Sequence, residues 1–531
     1  TAANYSGYMS LSKFGKTLDF YGAEEIRQGL TNYADKGYDT DWLDAVSRTA
    51  FTHNHNFNIS GGSKNTTYSA DFTYRKEEGV LLETYNEEMR MRFDVSHWML
   101  NDMLKVNFNM VKTFHKNGPI DAAGLGIYRQ AIMRNPTEPI WNEDGTFYEN
   151  FAVNYYYNPV GIIREQDGKY NSENTRMTGN ITFEPIKNWQ TNLMLSRRVT
   201  SDHNRGYYTS EYFSQKSENH TGYAYHSQNE YTTDNLEVTS KYNHTWNKHR
   251  FDALVGYNYQ YNVNEGFGAN NYDYPTDFYL WNNLGLGTAL KDGKAGMSSY
   301  KNDNTLIGFF GRVSYGYDNK YNVLLSVRRE GSSKFGENNK WATFPSVALG
   351  WRIDQEEFLK EISWISQLKL RLGYGVTGNS AITPYQTKGG ISSLYYPFGP
   401  NPTQGYIAYE NEAGITNTLA NQNLGWEKTA QWNIGVDFNF FNGRINCIVD
   451  VYTSKTTDLL MAQSIPTLTG YARTYANVGK TKNFGYDLTF NFVPVRTKDF
   501  EWNIGVNAAY SRNEIVSLAN GKEDDPANGW F

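Results

Sequence analysis

Alternation of apolar and polar residues is the dominant pattern along this chain. From Phe251 to Val263 every odd position is apolar or aromatic, whereas most even positions are Asp, Asn, Gln or Gly. Side chains of a β-strand point alternately to its two faces, so the segment predicts a strand with one apolar and one polar face. Similar alternation begins at Leu368, Trp432 and Phe500. The chain is therefore predicted to be all-β.

Seventeen segments carry enough of this pattern to be predicted as strands, and many of them are 9 to 14 residues long. Strands of globular proteins usually have about 5–6 residues, whereas a tilted strand that crosses a bilayer needs about 9–11. The lengths therefore favour a membrane-spanning sheet. The predicted strands are 5–14, 53–61, 66–76, 88–98, 103–114, 175–184, 189–200, 233–246, 251–263, 304–317, 321–331, 345–354, 367–376, 429–440, 444–452, 482–492 and 500–511.

The connections between these segments alternate between short and long. Asn442-Gly443 marks the clearest short turn, because Asn and Gly accept positive φ. Long loops at one end and short turns at the other are typical of an outer-membrane barrel. A soluble solenoid or propeller is the alternative, and no fixed period of about 20–50 residues supports it. The predicted short turns are 62–65, 99–102, 185–188, 247–250, 318–320, 441–443 and 493–499, and the long connections are 15–52, 115–174, 201–232, 264–303, 377–428 and 453–481.

Composition narrows the class of protein further. The mean hydropathy of −0.67 is low for a membrane protein, but only alternate residues of a barrel strand face lipid. The 13 Trp, 42 Tyr and 29 Phe exclude a disordered chain. A net charge of −6 gives no electrostatic reason to expect nucleic-acid binding. The single cysteine, Cys447, excludes an intramolecular disulfide and every CxxC motif.

Two long motifs resemble a signature of the SusC/RagA family of TonB-linked outer-membrane proteins. They are Arg328–Gly336, read as RREGSSKFG, and Leu370–Asn379, read as LRLGYGVTGN. Shorter matches in the same order make the resemblance specific from about residue 40 to 516. These are Thr40-Asp41-Trp42, His53-Asn54-His55-Asn56, Ser60-Gly61-Gly62, Leu424-Gly425-Trp426-Glu427-Lys428-Thr429, Asn477-Val478-Gly479 and Asn483-Phe484-Gly485.

The resemblance implies a 22-stranded transmembrane antiparallel β-barrel in the outer membrane of a Gram-negative cell. An N-terminal plug fills the barrels of this family, a SusD-like surface lipoprotein caps them, and the TonB complex supplies energy through the plug. All of 1–531 is predicted to be barrel, covering about 17 strands. The plug and the last strands are expected to lie outside this chain.

Candidate chemistry points to ligand binding. No catalytic motif is complete, so an enzyme is not expected, and no cofactor or metal site is predicted. His53 and His55 share a strand face without a third ligand, which favours interface histidines over a metal site. Aromatic faces mixed with polar groups suit sugar rings, and the alternative is that these aromatics pack the loops or meet the lid. The predicted substrate-binding residues are Trp141, Tyr155, Tyr156, Tyr274, Trp281, Tyr395, Tyr396 and Tyr406.

The resulting hypothesis is TonB-dependent import of nutrient oligosaccharides together with a SusD-like lipoprotein. Two alternatives stay open at this level. The first is import of oligopeptides by the same mechanism, and the second is a glycan-binding surface receptor or adhesin that imports nothing.

Overall fold

Strands dominate the structure, a computed structural model. It describes residues 1–15, 20–118, 126–388, 391–396, 403–408, 418–466, 468, 471 and 473–518, with backbone alone for 391–396 and 403–408. Seventeen strands form one sheet. They are β1 (Ala2–Ser12), β2 (Ala50–Gly62), β3 (Thr66–Glu78), β4 (Tyr85–Met99), β5 (Leu104–Asn117), β6 (Gln166–Ile186), β7 (Trp189–Tyr208), β8 (Tyr223–Trp246), β9 (His249–Tyr272), β10 (Gly296–Tyr317), β11 (Tyr321–Ser332), β12 (Trp341–Arg352), β13 (Ile365–Asn379), β17 (Glu427–Phe440), β18 (Ile445–Thr457), β21 (Lys480–Arg496) and β22 (Glu501–Ser517).

The long connections hold the remaining elements. Five short strands form a hairpin, β14 with β15, and a small sheet in which β20 lies between β16 and β19. None of the described helices is long and apolar enough to span a membrane. The short strands are β14 (Ile391–Tyr396), β15 (Thr403–Ala408), β16 (Thr418–Leu419), β19 (Leu460–Ser464) and β20 (Arg473–Asn477), and the helices are α1 (Ala23–Arg27), α2 (Trp42–Val46), α3 (Ile127–Met133), α4 (Pro159–Arg164) and α5 (Phe213–Glu218), with 3₁₀ turns at Asp277–Asn282, Leu284–Leu286, Thr288–Leu290 and Ile353–Gln355.

Each of the 17 predicted strands coincides with one strand of the large sheet, which confirms the all-β fold. The strands are longer than predicted, and β8 and β9 reach 24 residues each. Their extra residues carry polar side chains on both faces, so no alternation marks them in the sequence. The predicted alternation of short turns and long connections is also confirmed.

The chain divides into two compact units. Unit 1 comprises Thr1–Asn180, Leu195–Asp234 and Asn262–Asn302, and unit 2 comprises Ile181–Met194, Asn235–Tyr261 and Asp303–Phe531. In unit 1, β1 to β5 pair antiparallel in chain order. In unit 2, antiparallel pairing runs from β10 through β11, β12, β13, β17, β18 and β21 to β22.

Register in unit 2 places apolar residues side by side on one face. One row crosses five strands and consists of Leu372, Ile434, Val451, Tyr486 and Tyr510. Directly opposed residues share a face, so the row is a continuous apolar strip. Ile434 is 53% exposed in the chain by itself. A strip this apolar and this open is suited to lipid contact.

The opposite face of the same strands is polar. Arg371 lies opposite Gly435, which lies opposite Asp450 on the next strand. The Arg371 guanidinium donates to the carboxylates of Asp437 and Asp450 over 2.7–3.1 Å. Gly435 leaves room for this pairing, because a Cβ there would meet both Arg371 and Asp450.

Unit 1 repeats the arrangement on β2 to β5. Its apolar face carries rows such as Ile59, Ala70, Phe93 and Met110. Its polar face carries rows such as Asn56, Thr73, Arg90 and Thr113. The face assignment made from the sequence therefore agrees with the strand register in each unit.

Most of the short turns contain residues with positive φ. In 441–444, Arg444 N donates to the Phe441 carbonyl at 3.3 Å. The central residues Asn442 and Gly443 have φ of 53° and 84°, as a hairpin turn of type I′ requires. The predicted Asn-Gly turn is confirmed.

An arginine placed on the apolar face is expected to impair assembly. Val436→Arg or Val255→Arg should destabilise the folded protein by about 2–4 kcal/mol if the site lies near the bilayer midplane. Gln431→Arg is the matched control, because Gln431 lies on the polar face between Gly375 and Ser454. Heat-modifiable gel migration of the outer-membrane fraction measures the folded yield. Normal folding of both valine variants with loss of Gln431→Arg would invert the face assignment.

Candidate functional site

Buried hydrophobic residues concentrate in the connections rather than in the sheet. Three clusters, named here by one member each, account for most of them. The Trp42 cluster contains Trp42, Val46, Ile127, Ala131, Phe147, Val160, Ile162, Ile163, Tyr212 and Phe213. The Trp426 cluster contains Phe335, Ala342, Phe344, Ile382, Leu424 and Trp426, and the Tyr207 cluster contains Tyr207, Ala224 and Tyr274.

The Trp42 cluster ties the first long connection to the segment 126–165. Asp41 caps α2, since its carboxylate accepts from Asp44 N at 2.9 Å. The cap fixes the start of the helix, and Trp42 then lies buried with its Nε1 donating to the Asn135 carbonyl at 3.0 Å. Thr40 donates to the Glu138 carbonyl at 2.7 Å. The Thr40-Asp41-Trp42 motif therefore acts as a clamp between two connections.

A charged group is buried beside this clamp. Arg134 Nε lies 3.3 Å from Glu138 Oε2, and its NH1 lies 3.8 Å from Glu149 Oε2. The guanidinium also lies over the ring of Tyr156, 4.5 Å from its centre. Tyr156 donates to Glu138 at 2.8 Å and accepts from Asn135 N at 2.7 Å. Each buried charge thus has a partner, as burial requires.

One of the two carboxylates, that of Glu149, has a raised pKa. Burial raises the pKa of Glu149 to about 7, although Arg134 and the hydrogen bonds from Asn158 N oppose the rise. Glu138 and Glu149 share one guanidinium, that of Arg134. When both carboxylates are ionised, the site has a net charge of −1. A raised pKa relieves that imbalance near neutral pH.

The Trp426 cluster joins three motifs that are distant in sequence. The ring centre of Trp426 lies 4.9 Å from that of Phe335 and 5.4 Å from that of Phe344. Trp426 Nε1 donates to the Lys340 carbonyl at 2.8 Å. Asn477 Nδ2 donates to the Gly425 carbonyl at 2.8 Å and its Oδ1 accepts from Gly425 N at 2.7 Å.

Two glycines make this packing possible. Gly336 N donates to the Leu424 carbonyl at 2.9 Å, and a Cβ at Gly336 would overlap the carbonyl oxygen of Gln422. A Cβ at Gly378 would overlap the ring of Phe344. Both glycines belong to the motifs that resemble the SusC/RagA signature. The motifs therefore position the connections.

The Tyr207 cluster supports the 273–295 connection. Tyr207 and Tyr274 pack edge to face with ring centres 5.4 Å apart. Burial raises the pKa of Tyr274 to about 12, so its hydroxyl stays protonated. The hydroxyl donates a hydrogen bond to the Leu284 carbonyl at 3.3 Å. Trp281 packs partly buried against this cluster.

The predicted substrate-binding aromatics differ in exposure. Trp141 and Tyr155 are 48% and 62% exposed on the segment 126–165, whereas Tyr156 and Tyr274 are buried. A ligand would reach the two buried rings only after the connections move. Trp281 is half-buried. The backbones of Tyr395, Tyr396 and Tyr406 lie in the β14–β15 hairpin, and their side chains lie outside the described residues.

The structure brings some of these residues together. Trp141, Tyr155 and Tyr156 share one connection, and Tyr274 and Trp281 share another. Sequence reasoning missed the buried ions Arg134, Glu138 and Glu149. Their spacing of four and eleven residues gives no periodic signal, and only the fold shows that they converge. Among the described residues no group of three or more His, Cys, Asp or Glu is placed to hold a metal ion.

Comparison with known proteins identifies the family. The model of the family "TonB dependent receptor-like, beta-barrel" matches residues 126–529. The chain belongs to this TonB-dependent receptor family. It is 30% identical to the "TonB-dependent receptor SusC" of Bacteroides thetaiotaomicron over 99% of this chain and 54% of the relative. It is also 30% identical to the "TonB-dependent receptor P3" of Formosa agariphila, over 98% of this chain and 52% of the relative.

Solved structures agree on the fold. The RagAB peptide transporter superposes with a TM-score of 0.80 at 23% identity, covering 98% of this chain and 62% of the other. Its closed-closed state gives a TM-score of 0.79 at 24% identity, with coverages of 97% and 61%. The resemblance to SusC/RagA proteins is confirmed. This TonB-dependent receptor chain spans about half the length of the curated relatives that it matches.

Glu149 is expected to make the segment 126–165 less stable as pH rises. Its carboxyl titrates near pH 4.5 when unfolded and near 7 when folded. The stability is thus full below about pH 4.5, falls as pH rises to about 7, and then levels off, with a total change of about 3 kcal/mol. The rate of limited proteolysis within 126–165 at pH 5 and at pH 8 measures this change in stability. Glu149→Gln should remove the difference, whereas Glu143→Gln, an exposed carboxylate of the same segment, should keep it.

Gly336→Ala is expected to open the Trp426 cluster, because the new methyl group overlaps the Gln422 backbone. Overpacking of this kind costs about 1–3 kcal/mol. Protease cleavage near 333–340 and 421–426 should accelerate. Gly350→Ala is the control, since the nearest atom to its added methyl is Lys369 Cε at 3.5 Å. Equal cleavage of the two variants would contradict a packing role for Gly336.

Proposed function

We propose that the protein serves TonB-dependent import of nutrient oligosaccharides across the outer membrane, together with a SusD-like surface lipoprotein. The observation that carries the proposal is the similarity to the TonB-dependent receptor SusC along 99% of this chain. The amphipathic sheet supports it, because one face suits lipid and the other presents Asn, Asp, Arg and Thr side chains to a polar interior. The outer membrane of a Gram-negative cell is the proposed location.

In the proposed mechanism the ligand is captured at the long-connection end, between the barrel and the lipoprotein. TonB then acts through a plug that fills the barrel, and the ligand passes into the periplasm. The chain's own contribution is a set of ordered connections. The Trp42 cluster in unit 1 and the Trp426 cluster in unit 2 each hold their own connections, so that exposed groups within each unit are presented in a fixed arrangement.

Trp141 and Tyr155 are the proposed first contacts for the ligand. The two rings are 48% and 62% exposed, and both residues lie on the segment 126–165 that also contains the buried Arg134 group. An exposed aromatic face can stack on the C–H face of a sugar ring. The hairpin residues Tyr395, Tyr396 and Tyr406 complete the proposed set, with Tyr156 and Tyr274 as buried supports that a rearranged connection would expose. Trp281 is a separate case, because its ring lies against Lys169 and Arg205.

Oligopeptide import is the second candidate. The fold similarity to the RagAB peptide transporter favours it. The same tyrosines and polar groups of the long connections would serve either ligand, since such groups also bind peptide backbones. A glycan-binding receptor that imports nothing is the remaining alternative.

Native mass spectrometry of the full-length protein from outer membranes tests these proposals. Oligosaccharide import predicts a co-purified lipoprotein and ligand masses that differ by a hexose. Heterogeneous peptide masses would replace the leading proposal by oligopeptide import, and the absence of lipoprotein and ligand would favour the receptor.

Variants test the proposed contacts. Trp141→Ala combined with Tyr155→Ala should lower ligand occupancy at least several-fold, because stacking on two aromatic faces is lost. Phe151→Ala is the control, since Phe151 is a comparably exposed aromatic of the same segment. Unchanged occupancy in the double variant would remove these two residues from the site.

A further inference from the structure

Basic side chains converge on Trp281 in unit 1. The Arg205 guanidinium lies 4.9 Å from the ring centre of Trp281, and Lys169 Nζ lies 5.8 Å from it. His226 completes the group, since its Nε2 lies 2.7 Å from the Trp281 carbonyl oxygen. These contacts join β6, β7 and β8 to the 273–295 connection. We name Lys169, Arg205, His226 and Trp281 the basic cluster.

The basic cluster has donors without acceptors. Arg205 Nε and Trp281 Nε1 are both buried without a hydrogen-bond partner. Among the described residues no ion pair within 4.0 Å involves Lys169, Arg205 or His226. A carboxylate on the same connection, Asp277, is engaged elsewhere, because it accepts from Tyr207 and Ser210. Within 4.0 Å, the positive charges of Lys169 and Arg205 thus lack a counter-charge among the described residues.

Three other basic residues on this part of the sheet have carboxylate partners. Lys112 binds Glu173 at 2.8 Å, Arg197 lies 3.7 Å from Asp234, and Lys301 binds Glu265 at 2.7 Å. Like charges brought near one ring repel one another, and cation–π attraction of about 0.5–2 kcal/mol offsets this only in part. Two cations held at one ring without an ion-pair partner point to an anionic ligand.

Strand alternation shows which face carries the cluster. Side-chain hydrogen bonds join Thr178 to Ser196 at 3.1 Å and Asn174 to Thr200 at 2.6 Å, so even-numbered residues of β6 and β7 share the polar face. Lys169 and Arg205 are odd-numbered and project from the other face. That face carries exposed Met177 and Leu195 farther along the same strands. The basic cluster therefore lies on the same face as these apolar residues, farther along the strands.

The distance along the strand places the cluster above the hydrocarbon layer of the proposed membrane location. Arg197 begins the charged part of this face, and Arg205 lies eight residues farther on, roughly 26 Å along the strand. With a barrel tilt of about 40°, the cluster would lie about 20 Å above that level. Sugar and phosphate groups of an outer-leaflet glycolipid occupy such a zone, and fatty acids do not.

We propose that Lys169, Arg205, His226 and Trp281 form a binding site for a phosphate-bearing saccharide on the outward face of the barrel wall. Lys169 and Arg205 neutralise the phosphate, which accepts charge-assisted hydrogen bonds from them. His226 holds the 273–295 connection through the Trp281 backbone, and the indole supplies the apolar surface beside the sugar. The ligand is either the saccharide of an outer-leaflet glycolipid or a free sugar phosphate. The proposal uses the outer-membrane location but does not depend on what is imported.

Binding to the purified full-length protein in detergent tests the site. The probes are rough-type lipopolysaccharide, the same material after removal of its phosphates, and glucose 6-phosphate. The wild type should bind the intact lipopolysaccharide at least ten-fold more tightly than the dephosphorylated form. The double variant Lys169→Gln with Arg205→Gln should lose at least ten-fold in affinity. Lys112→Gln, a basic residue of the same face that is already paired, should change affinity less than two-fold.

The probes distinguish a glycolipid ligand from a free sugar phosphate. Binding of lipopolysaccharide with weak binding of glucose 6-phosphate assigns the ligand to the glycolipid, and comparable variant-sensitive binding of glucose 6-phosphate assigns it to a free sugar phosphate. Arg205→Gln by itself replaces the double variant if the latter does not show heat-modifiable migration. Equal affinity of wild type and variants for every probe would overturn the site. None of these readouts involves ligand import, so failure here leaves the proposed function standing.

Discussion

Strand register is the constraint on which the rest of the structure depends. Because side chains alternate strictly, a slip of one residue in any pairing would move a whole apolar row to the polar face. The rows from Leu372 to Tyr510 and from Ile59 to Met110 show how far one consistent register extends within each unit. Turns with positive φ, such as 441–444, fix the register at the short end. The long connections are thereby free of this task and can carry ligand-binding groups.

The connections need a separate source of order, and buried polar contacts supply it. Backbone groups in an irregular segment must find partners once they are buried. Trp42, Trp426 and Asn477 provide such partners through hydrogen bonds from side chain to backbone. The motifs that resemble the SusC/RagA signature are thus explained by packing at the level of single atoms.

Much of the fold could be predicted from sequence, because a sheet between lipid and water needs apolar and polar residues to alternate along each strand. The overall composition alone does not reveal this alternation. All 17 strands of the large sheet and the chemical identity of both faces follow from that alternation. The outer halves of β8 and β9 do not, since above the apolar part both faces are polar and alternation disappears. The candidate site was less predictable. Tyr155 and Tyr156 are adjacent and chemically identical, yet one is exposed and the other is buried against Arg134.

Alternation also separates two binding tasks on the same strands. On β6 and β7 the even-numbered Asn174, Thr178, Ser196 and Thr200 bond to one another across the polar face. The same face also carries Arg176, Arg198 and Asp202, so its hydrogen-bonding groups and charges are spread along the strands. The odd-numbered Lys169 and Arg205 bring two positive charges to the ring of Trp281 on the other face. Tight binding suits a group that anchors the protein in its surroundings, and weak, multiple contacts suit a path for passage. The period of two that folds the sheet therefore also keeps the proposed anchoring ligand apart from the transported one.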